Sequence, residues 1–148
     1  MEALAAEVSR AERTEAPLAL VIADLDGFKE VNDTFGHAVG DQVLRVVGDV
    51  LRATVRQIDL AARYGGEEFA VIVPGSDVEG AERLAERLRG QLRSRAVMSD
   101  GARVDVSASF GVAGYRPGTS VEDLLARADS ALYTAKAEGK DRVGLARR

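Results

Sequence analysis

Hydrophobic and polar positions along the chain follow two spacings, one typical of strands and one typical of helices. A continuous apolar run, Leu18–Ala23, predicts a strand that is covered on both faces. In other segments apolar residues recur every three or four positions, which predicts amphipathic helices. Ser120 and Asp123 form a capping signal for the last of these helices, and Gly139 ends it. The helices are expected at residues 1–14, 28–35, 43–54, 81–92 and 120–138, with a turn at 36–40 between the second and third.

Four further strands complete the pattern. The runs Leu60–Tyr64 and Glu67–Val73 are joined by Gly65-Gly66, which predicts a hairpin whose two-residue turn needs positive φ. Val104–Phe110 alternates apolar and polar residues, as a half-buried strand does, and Arg142–Leu145 is expected to add a last strand. After the first helix, the order β-α-α-β-β-α-β-α-β predicts an α+β fold. We expect a central mixed, mostly antiparallel five-stranded sheet flanked by helices, close to ferredoxin-like architecture.

The composition indicates one folded domain. The chain has 148 residues, close to the usual size of a domain, and no Pro- or Ser-rich linker, low-complexity tract or repeat divides it. Its 46% hydrophobic and 30% charged residues are typical of a globular protein. We therefore expect a single domain over residues 1–148. Because the first helix begins without a capping residue, we also expect this domain to be a fragment of a longer protein.

Residue usage and charge exclude several classes of function. Cysteine is absent and His37 is the only histidine, which excludes a disulfide framework, thiolate metal sites, a cysteine nucleophile and a multi-histidine metal cage. With 20 basic and 24 acidic residues, the chain lacks the basic excess of proteins that bind polymeric nucleic acid. No apolar run is long enough to span a bilayer and no secretory signal opens the chain, so we expect a cytoplasmic protein without a membrane segment.

Four carboxylates stand at two strand ends that the predicted fold can bring together. Asp24 and Asp26 follow the first strand, and Glu67 and Glu68 follow the glycine pair. If the first strand lies beside the hairpin, these side chains meet, and Mg²⁺ is typically held by one or two carboxylates together with substrate phosphates. Two adjacent metals would polarise a phosphorus centre and activate an attacking oxygen. The alternative is that Asp26 and Glu68 are solvated loop charges and the glycines only a turn.

Basic side chains lie near both acidic segments. Lys29 follows the first strand, and Lys136 and Lys140 flank the end of the last long helix. Lysines beside a carboxylate–metal site could hold triphosphate oxygens. The alternative for Lys136 is a favourable charge near a helix C-terminus.

Two polar residues could contact a base. Asn32 and Asp41 could supply an amide and a carboxylate to a purine edge, and the alternative is capping or turn formation. His37, in a glycine-flanked turn, is interpreted as structural rather than catalytic.

At Tyr64–Phe69 the sequence reads Tyr-Gly-Gly-Glu-Glu-Phe, which resembles the signature of the GGDEF family, the diguanylate cyclases, in its GGEEF variant. The resemblance extends over about residues 18–143 and keeps the family's order of motifs. It implies the palm-type fold of nucleotidyl cyclases. The other matching blocks are Asp24–Lys29, Asn32–Asp41, Ala62-Arg63, Ser109–Ala113 and Ala128–Lys136.

The resemblance implies a role for each matching position. Asp24, the Leu25 carbonyl and Glu67 would bind two Mg²⁺ or Mn²⁺ ions. Glu67 would help to deprotonate the 3′-hydroxyl, with Glu68 as the second catalytic signature acid. Asn32 and Asp41 would bind the guanine edge, and Lys136 and Lys140 the terminal phosphates. The remaining substrate contacts would come from Gly27, Phe28 and Lys29 along the phosphates, and from Gly65 and Gly66 beside the nucleotide.

The implied reaction condenses two GTP molecules into cyclic di-GMP and two pyrophosphates. Each 3′-hydroxyl attacks the α-phosphorus of the other GTP, so two domains must face each other in an antiparallel homodimer. In the full-length protein a sensor or receiver domain would lie upstream.

A second element resembles the family's product-inhibition site. Arg56 and Asp59 form an RxxD motif at the expected distance before Gly65, and Arg87 on the following helix would add a contact to cyclic di-GMP. The alternative for a lone RxxD is a surface ion pair.

Three departures from the family pattern, and two rival functions, accompany the resemblance. Gly139-Lys140-Asp141 replaces the more usual Gly-Arg-Asn, Gly27 stands where a larger side chain is common, and the DxLTGLxNR segment before the first helix is missing. One rival is a catalytically silent domain that acts as a cyclic di-GMP receptor. The other is a cyclase that makes a cyclic mononucleotide.

Overall fold

The computed structural model describes residues 2–146, so Met1 of the first predicted helix lies outside the described residues. The elements follow the predicted order, with one additional pair of strands. They are α1 Glu2–Thr14, β1 Leu18–Leu25, α2 Phe28–Phe35, α3 His37–Thr54, β2 Leu60–Arg63, β3 Glu68–Pro74, α4 Val78–Arg93, β4 Ala96–Ser99, β5 Ala102–Asp105, β6 Ala108–Gly114, α5 Val121–Ala137 and β7 Val143–Leu145.

The main sheet has the strand order β2-β3-β1-β6-β7. β1 is central and antiparallel to both β3 and β6, whereas β7 joins β6 in parallel. The prediction of a mixed, mostly antiparallel five-stranded sheet flanked by helices is therefore confirmed. The register places Asp24 opposite Glu68 on one side and opposite Ser109 on the other.

The continuous apolar run in β1 has a direct cause in the packing. Because side chains alternate along a strand, Ala19, Val21 and Ala23 pack in a core formed with α3 and α4. Leu20 and Ile22 point to the opposite face and pack in a second core with α1 and α5. Both faces of the central strand are thus covered by helices, as the apolar run predicts.

The turn predicted at residues 36–40 is shorter than expected. Gly36, with φ 93°, separates α2 from α3, and the helix begins directly at His37. Gly40 is therefore helical, and its lack of a side chain has another reason. A Cβ there would lie 1.9 Å from Asn32 Oδ1, so the glycine makes room for the Asn32 amide.

The prediction of a two-residue primed turn at Gly65-Gly66 was wrong. β2 ends at Arg63 and β3 begins at Glu68, and neither glycine has positive φ. Tyr64 N donates to Glu68 O at 2.8 Å, and Arg63 Nε donates to the carbonyl of Gly66 at 3.1 Å. A longer loop, stabilised by hydrogen bonds from the Arg63 side chain, replaces the tight turn.

The strand predicted at Val104–Phe110 is two strands. β5 ends at Asp105 and pairs with β4 in a separate two-stranded sheet, which the sequence pattern did not indicate, and β6 begins at Ala108. β6 is also buried on both faces rather than half-buried. The polar residue Ser109 is completely buried, because its hydroxyl bonds to Asp26 inside the protein.

The last helix begins as predicted. Ser120 Oγ accepts a hydrogen bond from Asp123 N at 3.0 Å, and Gly139, with φ 126°, follows the end of the helix. Across residues 2–146, no helix is both long enough and apolar enough to cross a membrane.

Candidate active site

Three predicted acidic residues meet at one end of the main sheet. Asp24, at the end of β1, is the register partner of Glu68, the first residue of β3. Leu25 N donates to Glu67 O at 3.1 Å, which holds the signature loop against the end of β1. The structure therefore brings Asp24, Glu67 and Glu68 together, as expected if the first strand lies beside the hairpin.

The surroundings of these three carboxyl groups disfavour the ionised forms. Burial raises the pKa of Asp24, Glu67 and Glu68 above their usual values, and the charge of Asp24 raises the pKa of both glutamates further. Lys136 lowers the pKa of all three, without reversing the net direction. Burial is therefore the main cost of ionising the cluster, and the charge of Asp24 adds to that cost for both glutamates.

Lys136 reaches into this cluster from the last turn of α5. Its Nζ lies 3.4 Å from Asp24 Oδ1 and 3.3 Å from Asp26 Oδ1. Lys140, three residues beyond the end of α5, also lowers the pKa of Asp24 by its charge. Two of the three predicted phosphate-binding lysines thus act on the same acidic cluster, whereas Lys29 is exposed in the first turn of α2.

The donor set suits a divalent cation that shares its coordination with a substrate. In residues 2–146 no group of three or more His, Cys, Asp or Glu side chains is arranged to hold a metal ion by itself. Mg²⁺ usually takes only one or two carboxylates and completes its shell with water and phosphates. Asp24 and Glu67 are a pair of carboxylates that could fill this role.

Asn32 lies beside the first turns of α3. Its amide oxygen occupies the space left by Gly40, the residue that precedes Asp41, and the Phe28 ring borders the same space, 3.4 Å from where a Gly40 Cβ would lie. Gly27, with φ 65°, turns the chain from β1 into α2. The structure therefore places the predicted phosphate-track segment next to the acidic strand end and sets the Asn32 amide against Gly40, the neighbour of Asp41.

The RxxD motif forms a closed ion pair. The Asp59 carboxylate is fully buried and accepts from Arg56 Nη2 at 2.8 Å and from Arg56 N at 2.8 Å. Arg56 Nη2 also donates to Pro74 O at 3.0 Å, and 46% of the Arg56 side chain stays exposed. Arg56, Asp59 and Arg87 line one open cleft. Pro74 and Glu68 are the two ends of β3, so this cleft lies roughly 20 Å from the acidic cluster.

The sequence pattern did not reveal the part played by Asp26. Only 8% of its side chain is exposed, and it accepts hydrogen bonds from Ser107 Oγ at 2.9 Å and Ser109 Oγ at 2.7 Å. It also accepts from Asp141 N at 3.0 Å. These partners lie 81 to 115 residues away in the chain, so the only local signal was the alternation of serines in the late strand.

Comparisons with known proteins agree with this geometry. Residues 1–142 match the family described as diguanylate cyclase, GGDEF domain. The chain is 39% identical over 145 residues to diguanylate cyclase DgcP of Pseudomonas aeruginosa, covering 98% of this chain and 22% of that protein. It is 40% identical over 148 residues to diguanylate cyclase A of Treponema denticola, covering 99% of this chain and 40% of that protein.

Among solved structures, the chain is similar to the GGDEF domain of DgcB from Caulobacter crescentus, determined in complex with c-di-GMP. The TM-score is 0.94 at 36% identity, covering 98% of this chain and 86% of that chain. The chain thus spans less than half of the two curated relatives but 86% of that solved GGDEF domain. Its sequence, its fold and its acidic cluster show that it belongs to the diguanylate cyclase GGDEF-domain family.

Proposed function

We propose that this domain condenses two GTP molecules into cyclic di-GMP, releasing two pyrophosphates. The observation that carries the proposal is the meeting of Asp24, Glu67 and Glu68 at one sheet end, with Lys136 within 3.4 Å of Asp24. Three carboxyl groups with a lysine at their edge suit a triphosphate that arrives with divalent cations.

The chemistry is a nucleotidyl transfer that takes place twice. In each transfer the 3′-oxygen of one GTP attacks the α-phosphorus of the other, the bond from that phosphorus to the oxygen bridging the α- and β-phosphates breaks, and pyrophosphate leaves with that oxygen. Asp24, Glu67 and the Leu25 carbonyl would hold two Mg²⁺ or Mn²⁺ ions. These cations, when bound, supply Lewis-acid polarisation of the phosphates.

The chain's own side chains would position the two nucleotides and neutralise the charge of their phosphates. Glu67 would accept the proton of the 3′-hydroxyl as a general base. Glu68 shares the same charge environment and would support this step. Lys136 and Lys140 would hold the β- and γ-phosphates, which stabilises the leaving pyrophosphate.

The remaining substrate contacts lie along α2 and the signature loop. Gly27, Phe28 and Lys29 would follow the phosphates, and Gly65 and Gly66 would let the nucleotide lie against the loop. Asn32 and Asp41 would bind the guanine edge. The Asn32 amide, set into the space at Gly40, offers a donor and an acceptor of the kind that base recognition needs.

One domain would supply half of the reaction centre. Because each GTP is both nucleophile and electrophile, two copies of the domain must face each other with their nucleotides between them. The two curated relatives are two to five times longer than this chain's match to them, which supports a sensor or receiver domain elsewhere in the full-length protein.

The second cleft would bind the product and inhibit the enzyme. Arg56 presents its exposed guanidinium face to the cleft that Arg87 also lines, and guanidinium groups bind phosphate and guanine edges. The Asp59 carboxylate also lines this cleft, and its ion pair with Arg56 holds the arginine in place.

The proposal is tested by incubating the domain with GTP and Mg²⁺ and identifying products by mass. The domain is measured alone and fused to a parallel coiled coil that enforces dimerisation, with Glu67→Gln as the matched inactive variant. Cyclic di-GMP from the fused form supports the cyclase. A cyclic mononucleotide would indicate the other cyclase reaction, and cyclic di-GMP binding without synthesis would indicate a receptor; either result contradicts the proposal.

A further inference from the structure

Asp26 has both of its carboxylate oxygens occupied by protein donors. Oδ1 accepts from Ser109 Oγ at 2.7 Å and Lys136 Nζ at 3.3 Å, and Oδ2 accepts from Ser107 Oγ at 2.9 Å and Asp141 N at 3.0 Å. A carboxylate offers about four lone-pair sites, and here each oxygen receives two donors. Asp26 therefore has no site left for a cation, unlike its neighbour Asp24, which contacts Lys136 through one oxygen.

Two of these donors belong to the segment that carries the phosphate-binding lysines. Lys136 is one of them, and Asp141 directly follows Lys140. Lys140 and Asp141 have φ values of 65° and 48°, the left-handed region that residues with a side chain rarely adopt. Such a conformation persists only where surrounding bonds compensate for its strain.

The bonds that compensate come from two sides. Asp141 N donates to Asp26 Oδ2 and to Ser109 Oγ, the latter at 3.1 Å. The Asp141 carboxylate lies 3.4 Å from Arg89 Nη1 and 3.4 Å from Arg93 Nε, both on α4. The turn is thus anchored by its backbone to Asp26 and by its side chain to α4.

We infer that Asp26 is a positioning residue for the terminal phosphates: it fixes the Lys136 ammonium and the turn that carries Lys140, and so sets both lysines before the nucleotide arrives. The inference rests on the proposed function, because it takes GTP as the ligand. A lysine side chain has a long flexible stem, and fixing it in advance removes part of the ordering cost of binding.

The test separates the terminal phosphates from the rest of the nucleotide. We would measure, by calorimetry with Mg²⁺, the binding of 3′-deoxy-GTP, which lacks the attacking hydroxyl and cannot react, and of 3′-deoxy-GMP. Asp26→Asn keeps the size of the side chain and removes its charge. Asp77→Asn is the matched control, because Asp77 caps α4 through Gly80 N and contacts none of these residues.

The expected result is that the affinity for only one of the two ligands, the triphosphate, changes. Asp26→Asn weakens binding of 3′-deoxy-GTP by roughly tenfold, the effect of losing one charge-assisted contact, and leaves 3′-deoxy-GMP within about twofold. Asp77→Asn changes neither affinity. If Asp26→Asn does not fold, Ser107→Ala removes one donor to Oδ2, and a smaller loss, again confined to the triphosphate, is expected.

One outcome would contradict only the positioning role of Asp26, and another would contradict the proposed function as well. An unchanged ratio of triphosphate to monophosphate affinity in Asp26→Asn or Ser107→Ala, while the wild-type domain prefers the triphosphate, overturns the positioning role alone. A wild-type domain that binds both ligands equally overturns the phosphate-binding roles of the lysines, and with them the proposed function.

Discussion

Gly40→Ala separates folding from base recognition at a single position. Gly40 is in α3, where alanine is favoured over glycine by about 1 kcal/mol. The added Cβ would lie 1.9 Å from Asn32 Oδ1 and 3.0 Å from its Cγ. Because these atoms end a side chain that can rotate, the helix accommodates the methyl group and the Asn32 amide moves away.

The expected result is therefore a protein that folds as well as the wild type but binds GTP less tightly. We expect the free energy of unfolding to stay equal or rise by up to about 1 kcal/mol. The GTP affinity should fall by roughly fivefold to a hundredfold, as when one or two hydrogen bonds to a base are lost. Thermal denaturation measures the first quantity, and GTP titration of turnover measures the second.

Gly48→Ala is the matched control in the same helix. Its Cβ would meet the Arg52 guanidinium at 3.3 Å, at the end of a flexible exposed side chain. It should give the same gain in helix stability without a change in GTP affinity. A Gly40→Ala protein that is stabilised and keeps the wild-type GTP affinity would refute the role of Asn32.

Three further predictions concern the acids and the second cleft. Glu67→Gln should lower turnover by at least about a hundredfold, since it removes a base and a cation ligand, while circular dichroism shows a folded protein; activity near the wild-type level would contradict its role. Arg56→Ala should relieve inhibition by added cyclic di-GMP without changing the initial rate, and unchanged inhibition would place the inhibitory site elsewhere. Without divalent cations, Glu68→Gln should be more stable than the wild type at neutral pH, because the raised pKa of Glu68 means that its ionised form weakens the fold. That difference should vanish as pH falls below the unfolded value of about 4.3; a difference that grows on acidification would show that the charge of Glu68 stabilises the fold.

Elements whose structure depends on residues close together in the sequence were predicted correctly. The apolar run of β1 reflects burial on both faces, and the capping signal at Ser120 acts within one helical turn. The acidic cluster was predicted on the condition that the first strand lies beside the hairpin, and β1 does pair with β3 so that Asp24 stands opposite Glu68.

The errors have two causes: contacts within the signature loop in one case, and partners distant in the sequence in the others. The Gly65-Gly66 loop follows the Arg63 guanidinium and the pairing of Tyr64 with Glu68, not the tight turn that two glycines favour. Ser107 and Ser109 mimic the solvent face of a half-buried strand, although both hydroxyls bond to Asp26. Asp26 itself gathers partners from more than 80 residues away, which no local spacing encodes.

Whether this domain joins two GTP molecules is decided by mass analysis of products from the coiled-coil-dimerised domain with GTP and Mg²⁺, beside the same fusion carrying Glu67→Gln. We expect cyclic di-GMP and two pyrophosphates per product molecule from the wild type and none from the variant. GTP left intact by the dimerised wild type, or converted to any other nucleotide, would contradict this expectation.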